Sequence, residues 1–92
     1  MINLKNKSIV VTGGTKGIGV EITKSFLKQN AQVYVLARQK PKRIIQAKGN
    51  KAIFVECDIR NIQSLDSAVK EINALSKSID VLINNAGGAP MA

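Results

Sequence analysis

Eight residues near the amino end, Thr12-Gly13-Gly14-Thr15-Lys16-Gly17-Ile18-Gly19, join a glycine-rich backbone to hydroxyl and ammonium groups at a spacing suited to phosphate chemistry. They follow a short apolar run, Ser8-Ile9-Val10-Val11, and lead into a helical pattern. A strand, a glycine turn and a helix start together form a phosphate-binding element. The first amides of a helix lack internal partners and carry partial positive charge, so a pyrophosphate satisfies them. Gly13 permits the tight turn off the strand, and Gly17 lets the backbone approach a phosphate with no Cβ in the way. Gly19 lets the new helix lie close to the sheet.

The elements that must hold this turn are legible in the apolar pattern. Lys7 to Thr12 reads as a buried strand, a β-branched run that ends at glycine. Ile18, Ile22 and Phe26 recur every four residues, with Val20, Thr23 and Leu27 widening the stripe, which predicts a helix closed at Asn30 by a left-handed residue. Gln32 to Ala37 is the second strand. Pro41 suits the first turn of a short helix over residues 42–48, closed by Gly49-Asn50. Ala52 to Glu56 is the third strand, and Asn61 is a good N-cap for a helix that buries Ile62, Leu65, Val69, Ile72 and Leu75. Ile79 to Ile83 is the fourth strand. The alternation β-α-β-α-β-α-β predicts an α/β fold with a parallel sheet and right-handed crossovers. In a Rossmann-type half the strand order is 3-2-1-4, and ligands bind at the carboxyl ends of strands one and four.

Ninety-two residues suffice for one small domain, residues 1–92, with a thin core. No apolar run approaches the length of a membrane span, and the amino end has no apolar signal region, so neither a membrane nor an export route is expected. One cysteine, Cys57, and no histidine exclude an internal disulfide and a zinc site. They favour a reducing, cytoplasmic setting, with Cys57 serving as packing. The net charge is +8, and Arg38, Lys40, Lys42, Arg43, Lys48 and Lys51 form one basic segment without an acid. The only aromatics, Phe26, Tyr34 and Phe54, fall in apolar patterns rather than among these cations, which argues against nucleic acid as a partner.

With these residues in place, the chain resembles the short-chain dehydrogenase/reductase family in its NAD(P)-binding N-terminal half. The resemblance is carried by Thr-Gly-x-x-x-Gly-Ile-Gly at residues 12–19, by Asp58-Ile59 after the third strand, by Asp80-Val-Leu-Ile-Asn-Asn-Ala-Gly at residues 80–87, and by the spacing between them. It implies that Gly13, Gly17 and Gly19 shape the pyrophosphate turn, with the Ile18 amide and the Thr15 hydroxyl near the phosphates and ribose. Asp58 would bond the adenine amino group, with Ile59 against the ring. Asn84, Asn85, Ala86 and Gly87 would close over the adenosine ribose and brace the central strand.

The end of the second strand speaks to the choice of nicotinamide cofactor. A carboxylate roughly 20 residues after the glycine turn would bond the ribose 2′-hydroxyl of NAD. Ala37 stands there instead, followed by Arg38, and Lys16 offers a second cation from the facing loop. A planar guanidinium suits a 2′-phosphate, so NADP is expected over NAD.

The resemblance further implies hydride transfer between the nicotinamide and a carbonyl or alcohol substrate, with proton transfer by a tyrosine and lysine spaced Tyr-x-x-x-Lys downstream of Asn-Asn-Ala-Gly. The only tyrosine, Tyr34, lies inside the second strand and is followed four residues on by Arg38. It is packing, and no catalytic residue is assigned. Residues 1–92 are therefore expected to carry the cofactor-binding portion of an oxidoreductase and to be inactive alone, or else to form a non-catalytic NADP-binding regulatory module. The fourth strand would be left as an edge and part of the sheet face uncovered, which predicts self-association.

Overall fold

A computed structural model of the chain describes residues 3–13, 15–76 and 78–85. The elements run β1 (Ser8–Thr12), α1 (Gly17–Lys28), β2 (Gln32–Ala37), β3 (Gln46–Ala47), β4 (Asn50–Lys51), β5 (Ile53–Glu56), α2 (Ile62–Leu75) and β6 (Val81–Asn84). The main sheet has the order β5-β2-β1-β6, with every pair parallel. This is the expected 3-2-1-4 arrangement, with β5 and β6 as the third and fourth strands of the sequence reading. A parallel sheet is covered on both faces, so its central strand reads as an unbroken apolar run. All five residues of β1 are buried accordingly.

The pleat sends alternate residues to opposite faces. Ile9, Val11, Val33 and Val35 meet Leu27 of α1 and Ile45 on one side. Val10, Tyr34, Leu36 and Val55 meet Ala68 and Ile72 of α2 on the other. The line of α1 against the sheet is Gly19, Thr23 and Leu27, and the buried Thr23 hydroxyl donates to Gly19 O at 2.8 Å. Asn30 takes φ 71° just past the helix, the left-handed stop its residue type suggests.

Two sequence expectations are overturned. Residues 42–48 form no helix: β3 and β4 pair as an antiparallel hairpin, Gln46 opposite Lys51 and Ala47 opposite Asn50. Lys48 and Gly49 both adopt positive φ, 51° and 80°, which is the backbone of a two-residue hairpin turn. Ile45 is buried and Ala47 packs on the same cluster, while Ile44 and Gln46 point to solvent, a period of two rather than 3.6. Asn50 does not end a helix at residue 48. Its amide Nδ2 donates to Leu27 O at 2.8 Å, adding a second bond to a carbonyl at the end of α1 that also accepts from Asn30 N.

The second correction concerns α2. Its buried residues are Ala68 and Ile72, whereas Ile62, Leu65 and Leu75 are exposed. The small Ala68 lets the helix lie close over β5, so the contact line is rotated away from the row of larger side chains. Leu82 of β6 shares that sheet face by register with Val10, and it is 63% exposed because α2 covers the opposite end of the sheet.

The amino ends of β1 and β6 are pinned. Ser8 N donates to Asp80 Oδ2 at 2.8 Å, Asp80 N donates to Ser8 O at 2.9 Å, and the Ser8 and Ser76 hydroxyls bond to each other.

Candidate functional site

At the carboxyl end of the sheet, the chain leaves β1 through Gly13 at φ 69°, whose amide extends the strand ladder to Leu36 O at 2.9 Å. It enters α1 through Gly17 at φ 52°, and a Cβ placed on Gly17 would meet no further atom of the described residues within 4 Å. The glycine is thus required by its left-handed backbone, and the space in front of it is open. Lys16 precedes it in extended conformation and offers no side-chain cap to the helix, and the first turn carries no acid. The only described local bond of this turn is Gly19 N to Lys16 O at 3.0 Å. A helix that opens this way presents donors to an anionic group.

A cleft of about 720 Å³ adjoins this turn. Six residues singled out from sequence line it: Gly13, Thr15 and Lys16 from the glycine turn, Arg38 from the end of β2, and Asp58 and Ile59 from the end of β5. Leu36 and Ala37 contribute from β2, and the buried Cys57 from the end of β5. Gly17, Ile18 and Gly19 form the adjoining helix start, with Ile18 74% exposed rather than on the buried stripe.

Asn84 and Asn85 do not line the cleft. They fasten the glycine turn to β6: Thr12 Oγ1 bonds Asn84 Oδ1 at 3.1 Å and accepts from Asn85 N at 3.0 Å, and Asn85 Nδ2 donates to Gly13 O at 3.3 Å. Ala86 and Gly87, the remaining members of that motif, lie outside the described residues.

Gln39 and Arg60 also line the cleft and were missed from sequence. Arg60 places Nε 3.1 Å from Asp58 Oδ1 and Nη2 3.3 Å from Asp58 Oδ2, and its backbone N–H donates to Oδ1 at 3.0 Å. These side-chain bonds first, then the backbone bond, hold the Asp58 carboxyl below its usual range, with a smaller pull from the charge of Arg38. The Arg60 guanidinium is correspondingly raised by Asp58. The signal in the sequence was the Asp-x-Arg spacing after a strand, which permits such a fork.

Tyr34 is fully buried in the core beneath α2 and is no part of the cleft. Among the described residues, no group of acids and cysteines is arranged to hold a metal ion, and no helix is long and apolar enough to cross a membrane.

Comparison with known proteins gives a consistent picture. A family model described as short chain dehydrogenase matches residues 7–92. The chain is 35% identical over 92 residues to the ketoacyl reductase HetN of Nostoc sp., covering 95% of this chain and 32% of that protein. It is similar to the solved structure of L-sorbose reductase from Gluconobacter frateurii in complex with NADPH and L-sorbose, with TM-score 0.80, 27% identity, and coverage of 94% of this chain and 35% of that one. It is equally similar to an NADH-dependent reductase, A1-R′, in complex with NAD, with TM-score 0.79, 29% identity, and coverage of 92% and 38%. The chain spans about a third of the length of the curated relatives it matches.

Proposed function

The chain belongs to the short-chain dehydrogenase family, and from that premise we propose that residues 1–92 are the cofactor-binding portion of an oxidoreductase that takes NADP(H). Bound there, the nicotinamide supplies a hydride acceptor or donor for a carbonyl or alcohol substrate. The residues of this chain bind and orient it. Gly13, Gly17 and Gly19 shape the pyrophosphate turn, and the Ile18 amide and the Thr15 hydroxyl lie beside the phosphates and ribose. Asp58 and Ile59 take the adenine. Asn84 and Asn85 hold the turn against the central strand through Thr12 and Gly13, and the motif they open with Ala86 and Gly87 is the one expected to meet the ribose. No proton donor is assigned, because the one tyrosine is buried in the core.

The observation that carries the cofactor choice is Arg38 lining the cleft at the end of β2, with Lys16 lining it as well and Ala37 where a carboxylate would favour NAD. Likeness of fold does not discriminate, since the NADPH complex and the NAD complex match almost equally well. Charge does. A pair at about 4 Å contributes on the order of 4 kcal/mol at an effective dielectric of about 20, before desolvation is subtracted. A surplus of about 1.4 kcal/mol is already a tenfold preference.

The test is titration of the purified chain with NADPH and NADH. The native chain binds NADPH at least about tenfold more tightly, and Arg38→Asp removes that preference. Equal dissociation constants in the native chain would overturn the NADP assignment. The edge strand β6, with Val81 and Leu82 exposed, supports the further reading that copies of this chain self-associate.

A further inference from the structure

We infer that Arg60 is a positioning residue for base selection, gripping Asp58 so that a single carboxylate lone pair is left facing the cleft for the exocyclic amine of adenine. The inference rests on the reading that the cleft holds a nicotinamide dinucleotide.

The backbone around Asp58 is fixed on three sides. Cys57 N donates to Ala37 O at 2.9 Å, Asp58 N donates to Ser64 Oγ at 2.9 Å, and Asn61 N donates to Asp58 O at 2.9 Å. Ser64 is itself held by donating its amide to Asn61 Oδ1 at 3.1 Å. What remains free in such a frame is rotation about the two side-chain bonds of Asp58, and Arg60 restrains both. Oδ1 accepts twice, from Arg60 N and Nε, and Oδ2 accepts once, from Nη2. A carboxylate offers about four lone-pair sites. Three are filled, and the open one belongs to Oδ2.

The Arg60–Asp58 pair does little else. Both side chains are substantially exposed, 72% and 35%, and exposed ion pairs contribute little to stability. The two residues are also separated by one position, so their bond closes almost no chain. Its effect is directional. An ionised carboxylate only accepts, so the remaining site on Oδ2 accepts from the adenine amine and repels the carbonyl oxygen that hypoxanthine carries at the same ring position. A fork of two parallel donors fixes that direction, whereas a lysine ammonium supplies the charge without the plane.

The experiment compares dissociation constants of NADPH and of reduced nicotinamide hypoxanthine dinucleotide phosphate for the native chain and for Arg60→Ala, Arg60→Lys and Asp58→Asn. Circular dichroism checks the fold of each. The native chain prefers the adenine form by about tenfold, less than a sealed site would impose because the cleft is open. Asp58→Asn abolishes the preference, since an amide presents either a donor or an acceptor. Arg60→Ala brings the preference down to within about threefold of unity, and Arg60→Lys falls between it and the native chain.

A native preference retained in folded Arg60→Ala, or in Arg60→Lys should the alanine variant not fold, overturns the inference and leaves the cofactor reading standing. Binding of both forms with no preference in the native chain also overturns it. Absence of binding by either form overturns the cofactor reading itself.

Discussion

The two helices of this chain begin in opposite ways. At α2 the first turn is closed from within: Asn61 is in extended conformation and its side-chain oxygen accepts from Ser64 N at 3.1 Å. At α1 the equivalent position, Lys16, has the same extended backbone, φ −142° and ψ 148°, but its side chain can only donate. A capping residue stabilises a helix by about 1 kcal/mol. The chain has that stabilisation at one helix and lacks it at the other, although both starts lie at the carboxyl end of the same sheet. The difference is what a binding site requires. Donors already satisfied by an asparagine are of no use to a phosphate, whereas the start of α1 has no side-chain cap to compete with one.

Exchanging the two designs tests this directly. Lys16→Asp gives α1 a cap of the kind α2 has, in a backbone conformation already suited to it. The helix gains about 1 kcal/mol, while the new carboxylate stands where the pyrophosphate would lie. Calorimetry should show a higher melting temperature, and titration should show NADPH affinity reduced by more than about tenfold. A rise in both would mean that the open start of α1 is not where the nucleotide sits.

Gly17→Ala isolates the backbone instead. The left-handed conformation costs a residue with a Cβ about 1–2 kcal/mol, and no neighbouring atom among the described residues lies close enough to add a clash. Denaturant melts should show a loss within that range, together with weaker nucleotide binding.

The smallest effect belongs to the closed helix. Asn61→Ala should lose about 1 kcal/mol of stability by chemical denaturation. A loss well below that would place the strength of α2 in the packing of Ala68 and Ile72 rather than in its cap.

The same contrast explains what could be read from sequence. The glycine turn, the bounds of β2 and the cap at Asn61 were legible because each depends on one residue type with one dominant conformational reason. The hairpin of β3 and β4 was not legible. Its turn uses Lys48 at positive φ, a conformation that lysine does not advertise, and its strands are two residues each, too short for a period to emerge. The face of α2 was misjudged because burial followed the smallest side chain, Ala68, against a rule that weights the largest. Within the candidate site, residues fixed by backbone needs were readable, and Asp58 and Arg38 both line the cleft. Arg60 was not readable, because its meaning lies in a bond to a neighbour two residues away.

The bonds between Asp80 and Ser8 have a consequence at the far end of the sheet. They set how far β6 is advanced along β1, and Asn84 then falls opposite Thr12. Sliding by one residue would turn Asn84 to the other side of the pleat and release the hydroxyl that anchors the glycine turn. A carboxylate at the amino end of the sheet thus acts as the ruler against which the glycine turn at the other end is aligned.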